Sequence, residues 1–106
     1  MILVLSHAWT LDLAHAAAYV ALTDEFGAFH AAQPGFRGRR LVRDRADPLH
    51  FVNLRWWDRA EDYEAMVRDP AYPGWIALLS EHVQPRDPAK AVMDVEVEHA
   101  DPRAPA

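Results

Sequence analysis

The chain has 106 residues, 51% of them hydrophobic and 25% charged, the profile of one ordinary globular domain. Its net charge of −5 disfavours a nucleic-acid partner or an anionic membrane surface, and the absence of cysteine excludes disulfides, iron–sulfur clusters, thiolate zinc sites and a cysteine nucleophile. The apolar start, Ile2 to Leu5, is too short for a signal-peptide core, and no stretch approaches the roughly 20 apolar residues that span a bilayer, so a cytoplasmic location is expected.

Ile2-Leu-Val-Leu5 opens a strand that can run to about Trp9. Thr10 and Asp12 both suit an N-cap, and the Ala-rich, proline-free stretch from Leu13 to about Ala32 predicts a helix. Tyr19, Leu22, Phe26 and Phe29 share one face of it, and Pro34-Gly35 ends it. Phe36 to Arg43 reads as a second strand with blurred alternation; its arginines, with Arg45, suggest a solvated or interface face. After a turn at Asp47-Pro48, His50 to Trp57 reads as a third strand. Its alternation separates Phe51, Asn53, Arg55 and Trp57 from Val52, Leu54 and Trp56.

Asp58, with Glu61 three residues on, has the form of a capping box opening a short helix to about Arg68, where Asp69-Pro70 breaks it. A second short helix is expected over Pro73 to His82, then a proline-containing loop from Gln84 to Lys90. Ala91 to Glu98 predicts a last strand with Met93, Val95 and Val97 facing inward. Residues 1–99 are thus expected to form one domain, and residues 100–106, with two prolines, a flexible tail.

The order β-α-β-β-α-(α)-β is that of the split-βαβ, ferredoxin-like α+β fold: a four-stranded antiparallel sheet with helices on one face. Each face of the third strand carries a Trp, so the face without helices would expose a large apolar patch. Packing two sheets across a two-fold axis removes it, which predicts a homodimer.

Asn53, Arg55 and Trp57 lie on one face at period-two spacing, and the helix that follows supplies Tyr63. An amide, a fixed positive fork and an indole wall suit a flat, oxygen-bearing aromatic ligand in a cavity. The same residues also fit a plainer arrangement: Trp57 as a core anchor, Asn53 bonded to backbone and Arg55 paired with an acid across a dimer.

Four segments, Pro34-Gly-Phe36, the strand ending in Trp57-Asp58, the Glu61-Asp-Tyr63 helix and the Asp69-Pro-Ala-Tyr72 break, occur in an order that resembles the antibiotic-biosynthesis-monooxygenase family of dimeric α/β barrels. The resemblance runs from the first strand to Glu98. Within that family, Val52-Asn53, Trp57 and Tyr63 are most similar to the cofactor-independent oxygenases of aromatic polyketide pathways, of the actinorhodin type. The resemblance implies oxidation of an anthrone-like phenol to a quinone with O₂, without metal or flavin. It also implies catalytic roles for Asn53 (holding a carbonyl or peroxide oxygen), Trp57 (ring wall and N–H donor) and Tyr63 (orienting the substrate). Arg55, His7 and Phe51 are the candidate substrate-binding residues; Arg55 adds a charge to the site face that can stabilise an enolate.

Two other readings stay open. Haem-degrading monooxygenases share this fold, but the positions matching their haem-side residues fall near Met66, Ile76 and Ser6, which do not fit. A barrel that binds a small ligand without chemistry fits the same pocket residues. The six histidines show neither HxH nor HExxH spacing, so no metal site is expected; His15 and His30 read as helix-surface residues, and His7 as a candidate base.

Overall fold

A computed structural model describes residues 1–99; the tail expected at 100–106 lies outside the described residues. Its elements are β1 (Ile2–Trp9), α1 (Leu13–Ala31), β2 (Phe36–Arg43), β3 (His50–Trp57), α2 (Ala60–Val67), α3 (Tyr72–Ser80) and β4 (Ala91–Asp94). The strands form one antiparallel sheet in the order β2-β3-β1-β4, the ferredoxin-like arrangement. No described helix is long and apolar enough to cross a membrane.

The helix side of the sheet is set by β3, where Phe51, Asn53, Arg55 and Trp57 are buried and their alternating neighbours only half-buried. α1 covers that side with a stripe at three- and four-residue steps: Ala16, Tyr19, Thr23, Phe26 and His30. Asp12 caps it, its carboxylate accepting from the His15 N–H at 2.8 Å. Beyond the last turn Gly35 has φ 81°, and its carbonyl accepts from the Asp58 N–H at 2.8 Å, joining the exit of α1 to the end of β3.

The blurred alternation of β2 is a bulge. Phe36 pairs with Trp57 and Gly38 with Trp56, so Arg37 is the extra residue, and Gly38 takes φ 154°. The register after the bulge sets Arg39 opposite Arg55 and Leu41 opposite Asn53, on the helix side. Arg39 is therefore half-buried under α1, where it donates to the Thr23 carbonyl, rather than standing on a solvated face with its neighbours.

Three sequence expectations are corrected. Asp58 does not cap α2: the N-cap is Arg59, without a side-chain bond, because the Asp58 carboxylate pairs with Arg37 Nε at 3.0 Å. The last strand does not run to Glu98. β4 pairs with β1 only from Ala91 to Asp94, opposite Leu5 to Ile2, and beyond that pair the Val95 N–H donates to the Met1 carbonyl. Met93 pairs with Leu3 on the side away from the helices, and Val97 is 75% exposed, so neither faces inward. Finally, His30 is not on the helix surface but fully buried.

The core forms two clusters. Ile2, Val4, Trp57, Tyr63 and Met66 pack at one end, with Phe29, Phe36 and Tyr72 against them. Ala16, Tyr19 and Phe51 pack at the other, with Leu41, Leu79 and Val83. Between Phe51 and Trp57 on β3 stand the two polar residues, Asn53 and Arg55.

Candidate active site

A cavity of about 560 Å³ opens between the sheet, α1, α3 and the loop from Gln84 to Lys90. α3 lies over it without burying any residue fully. Trp75 stacks on Phe26 of α1 with centroids 5.1 Å apart, and Leu79 packs with Val83 against the Phe51 cluster. The walls are mostly apolar, from Tyr19, Phe26, Tyr72 and Leu79, and the polar floor comes from Ser6, Asn53 and Arg55. A mostly apolar cavity with a few convergent polar groups is the ordinary form of a small-molecule site.

Both β3 residues on that floor have unmet hydrogen-bonding capacity. Asn53 is buried, and its Oδ1 has no partner; it is not bonded to backbone. Arg55, 4% exposed, donates from Nη2 to Ser6 Oγ at 3.1 Å, and its Nε–H finds no acceptor. Burial lowers its pKa from the usual arginine value, opposed by Tyr63, Tyr72 and Tyr19, but a guanidinium stays charged. Burial also raises the pKa of the Tyr19 phenol, and that of Tyr63, with Arg55 pulling both back.

Of the residues singled out by sequence, the structure brings Asn53, Arg55 and His7 to the cavity and leaves Phe51, Trp57 and Tyr63 outside its lining. Trp57 is fully buried, edge-on to Phe36 at 5.2 Å, and its indole N–H has no acceptor. Tyr63 stands beside it with centroids 6.1 Å apart, and its outer ring face carries Lys90 Nζ at 4.8 Å. Phe51 packs against Tyr19. His7 only borders the cavity. It is the cross-strand partner of Val52, so its side chain belongs to the sheet face away from the helices, stacked with Trp9 and His50. There His7 Nδ1 lies 2.8 Å from His50 Nε2, and His50 Nδ1 donates to Asp44 at 3.2 Å.

Sequence reasoning missed the α3 and loop contributions, Tyr72, Arg86 and Lys90, which become neighbours only through packing, and it missed His30. The His30 Nδ1–H donates to the Phe26 carbonyl at 3.0 Å, leaving Nε2 buried without a partner next to Trp57. Burial lowers its pKa to about 4, Arg55 and Arg39 adding to the shift and the Phe26 bond opposing it, so the ring is neutral at neutral pH. Its place at i+4 from Phe26 on the buried stripe of α1 was the available signal. Among the described residues, no group of three or more His, Asp or Glu is placed to hold a metal ion.

The sequence profile of the antibiotic biosynthesis monooxygenases matches residues 3–78. The chain belongs to that family. No curated protein matches it significantly, but many solved structures share its architecture. SnoaB, a cofactor-independent oxygenase from Streptomyces nogalater, superposes with a TM-score of 0.81 over 94% of this chain and 97% of its own, at 16% identity. A second structure, described as an antibiotic biosynthesis monooxygenase, gives 0.76 over 92% and 100%, at 18% identity. A conserved protein from Methanosarcina mazei Go1 gives 0.73 over 86% of each chain, at 13% identity. At such identities the likeness is one of fold.

Proposed function

We propose that the protein is a monooxygenase that oxidises an aromatic or quinol-like substrate with O₂ and without a cofactor. The observation that carries this is the buried Asn53, on the floor of an apolar cavity with its Oδ1 unpartnered, in a family named for monooxygenases and a fold shared with SnoaB. Cofactor-free oxygenation needs a substrate deprotonated to an electron-rich carbanion that itself reduces O₂. Such an anion survives where water is excluded and where fixed dipoles face its oxygen. The donor end of Asn53, its Nδ2–H2 group, supplies that dipole and holds the reacting oxygen; the buried, unpartnered Oδ1 is an acceptor and plays no part in holding an anion.

Trp57 and Tyr63 sit behind this floor, in the packed cluster adjoining Arg55, and fix the position of the strand end. They are positioning residues in this reading.

The protein works as a homodimer. The sheet face away from the helices carries Leu3, Leu5, Val52, Leu54 and Trp56 half-buried, with Val42 and Met93 more exposed, an apolar surface a second copy would cover. Light scattering at micromolar concentration should give twice the chain mass; a monomer sinks this assignment.

Oxygen uptake with a panel of anthrones and quinols tests the activity. Replacing Asn53 by Ala should lower kcat by roughly 10²–10³, the usual cost of removing one group that stabilises a developing oxyanion. Trp57→Phe and Tyr63→Phe should raise KM more than they lower kcat. Equal oxygen uptake by wild type and Asn53→Ala would instead favour a barrel that binds its ligand without reacting with it.

A further inference from the structure

We infer that the ligand of this cavity is an anion: a flat aromatic molecule whose ionised oxygen, carboxylate or acidic phenol, seats on Arg55. This rests on the cavity being the substrate site and goes beyond it by naming the charge the substrate carries.

The first ground is Arg55 itself. It is almost fully buried, its one side-chain hydrogen bond goes to the neutral Ser6 hydroxyl, and its Nε–H has no acceptor. Among the described residues no carboxylate lies within 4.0 Å of it. The groups around it are the phenols of Tyr19, Tyr63 and Tyr72. An unpaired buried charge is destabilising, so a side chain held this way is a standing receptor for a counter-charge. Arg39, its partner across the β2–β3 ladder, brings a second guanidinium to the same side instead of an acid. Like charges directly opposite each other destabilise a sheet, and an anion between the helices and the strand relieves that.

The second ground is the composition of the lining. The chain holds 16 acidic residues against 11 Lys and Arg. Yet the cavity takes three of those cations, Arg55, Arg86 and Lys90, and none of the acids. A positive cleft with low-dielectric walls in an acidic protein concentrates anions against the sign of the whole molecule. Arg55 lies on the floor, while Arg86 and Lys90 are exposed on the loop at the edge, Arg86 over the Trp9 ring at 3.8 Å. The aromatic walls then select a flat body, and the planar guanidinium fork selects a planar oxyanion.

The test is binding to the full-length protein without turnover, by calorimetry under anaerobic conditions, with 2-naphthoate, naphthalene-2-carboxamide and 2-naphthol as probes. Wild type should bind the carboxylate about tenfold or more tighter than the isosteric amide. Arg55→Met should abolish that preference and leave the amide unaffected. Its melting temperature should equal or exceed that of wild type, since Met fills the space without an unpaired charge. If the carboxylate gains nothing but bound 2-naphthol acquires the naphtholate absorbance at neutral pH in wild type and not in Arg55→Met, the anion is an ionised phenol. Carboxylate and amide binding alike, with naphthol remaining neutral, overturns the inference; that comparison needs only wild type and survives a variant that fails to fold. Arg55-dependent anion binding without oxygen uptake on any substrate would leave this inference standing and remove the monooxygenase reading. Arg55-independent turnover of neutral substrates would do the reverse.

Discussion

Two parts of β3, one residue apart on the same face, have opposite characters. At its end Trp57 is sealed among Ile2, Val4, Tyr63 and Met66, with Phe36 edge-on to its ring. In its middle, Asn53 and Arg55 are as buried as core residues, yet line a cavity; unmet hydrogen-bonding groups occur in both parts, the Trp57 N–H included. Burial alone does not separate them. What separates them is whether neighbouring atoms complete the packing: α2 closes over Trp57, whereas α3 leans on α1 through Trp75 and leaves the middle of the strand uncovered. In the proposed reading the sealed end serves stability and the middle serves binding.

The largest effect should come from the sealed end. Trp57→Ala removes a fully buried indole and leaves a cavity in its cluster, and should cost about 3–5 kcal/mol in urea unfolding. A loss below about 1 kcal/mol would mean that this end is no better packed than the middle.

His30, against Trp57, gives that end a pH dependence. Its pKa is lowered from 6.5 unfolded to about 4 folded, so between those values the unfolded chain binds the extra proton. Stability therefore rises with pH across this window: it is whole above about 6.5 and falls as pH drops toward 4, by up to ~3 kcal/mol. His30→Gln should flatten the slope of unfolding free energy between those limits. An unchanged slope would assign the acid sensitivity to other groups.

Much of this contrast was legible in the sequence, for physical reasons that also explain what was not. The alternation of His50 to Trp57 correctly grouped Phe51, Asn53, Arg55 and Trp57, because a strand has only two faces. It could not say which of the four would be sealed, since that depends on where α3 docks, and α3 is apolar on all sides while burying nothing fully. His30 departs from the surface position its residue type suggests because its place at i+4 from Phe26 puts it on the buried stripe of α1. β4 is shorter than its alternation predicts because alternation measures the tendency to pair, whereas the ladder with β1 stops at the Ile2–Asp94 pair. The Arg37 bulge hid the inward turn of Arg39, since one extra residue exchanges the faces of everything after it.

A third, smaller effect tests the connection that carries the sealed end. Gly35 has φ 81°, and a methyl group added there would lie 2.2 Å from Asp62 Oδ2 and 2.7 Å from its Cβ. Gly35→Ala should thus cost about 1–3 kcal/mol through backbone strain and the clash together. Asp62→Ala in the same chain should recover only the part due to the carboxylate, since alanine keeps the Cβ at 2.7 Å, so the double-mutant cycle separates the carboxylate clash from the rest.

The smallest change in stability should come from the open middle, which is where the contrast becomes decisive. Asn53 is buried, so a count of exposure alone predicts that replacing it costs as much as any core substitution. Its Oδ1 has no partner, however, and an unsatisfied buried polar atom has already incurred its desolvation cost without return. Asn53→Leu keeps the branch and the number of side-chain heavy atoms, with the cavity beside it to take the larger methyls, removes that cost and should leave unfolding free energy within about 1 kcal/mol of wild type, or raise it. Oxygen uptake should nonetheless fall, because the dipole facing the substrate oxygen is gone. A residue whose loss spares the fold and removes the activity is held for its chemistry. If Asn53→Leu instead destabilises the chain as severely as Trp57→Ala, the middle of β3 is ordinary core and the distinction between the two parts of the strand fails.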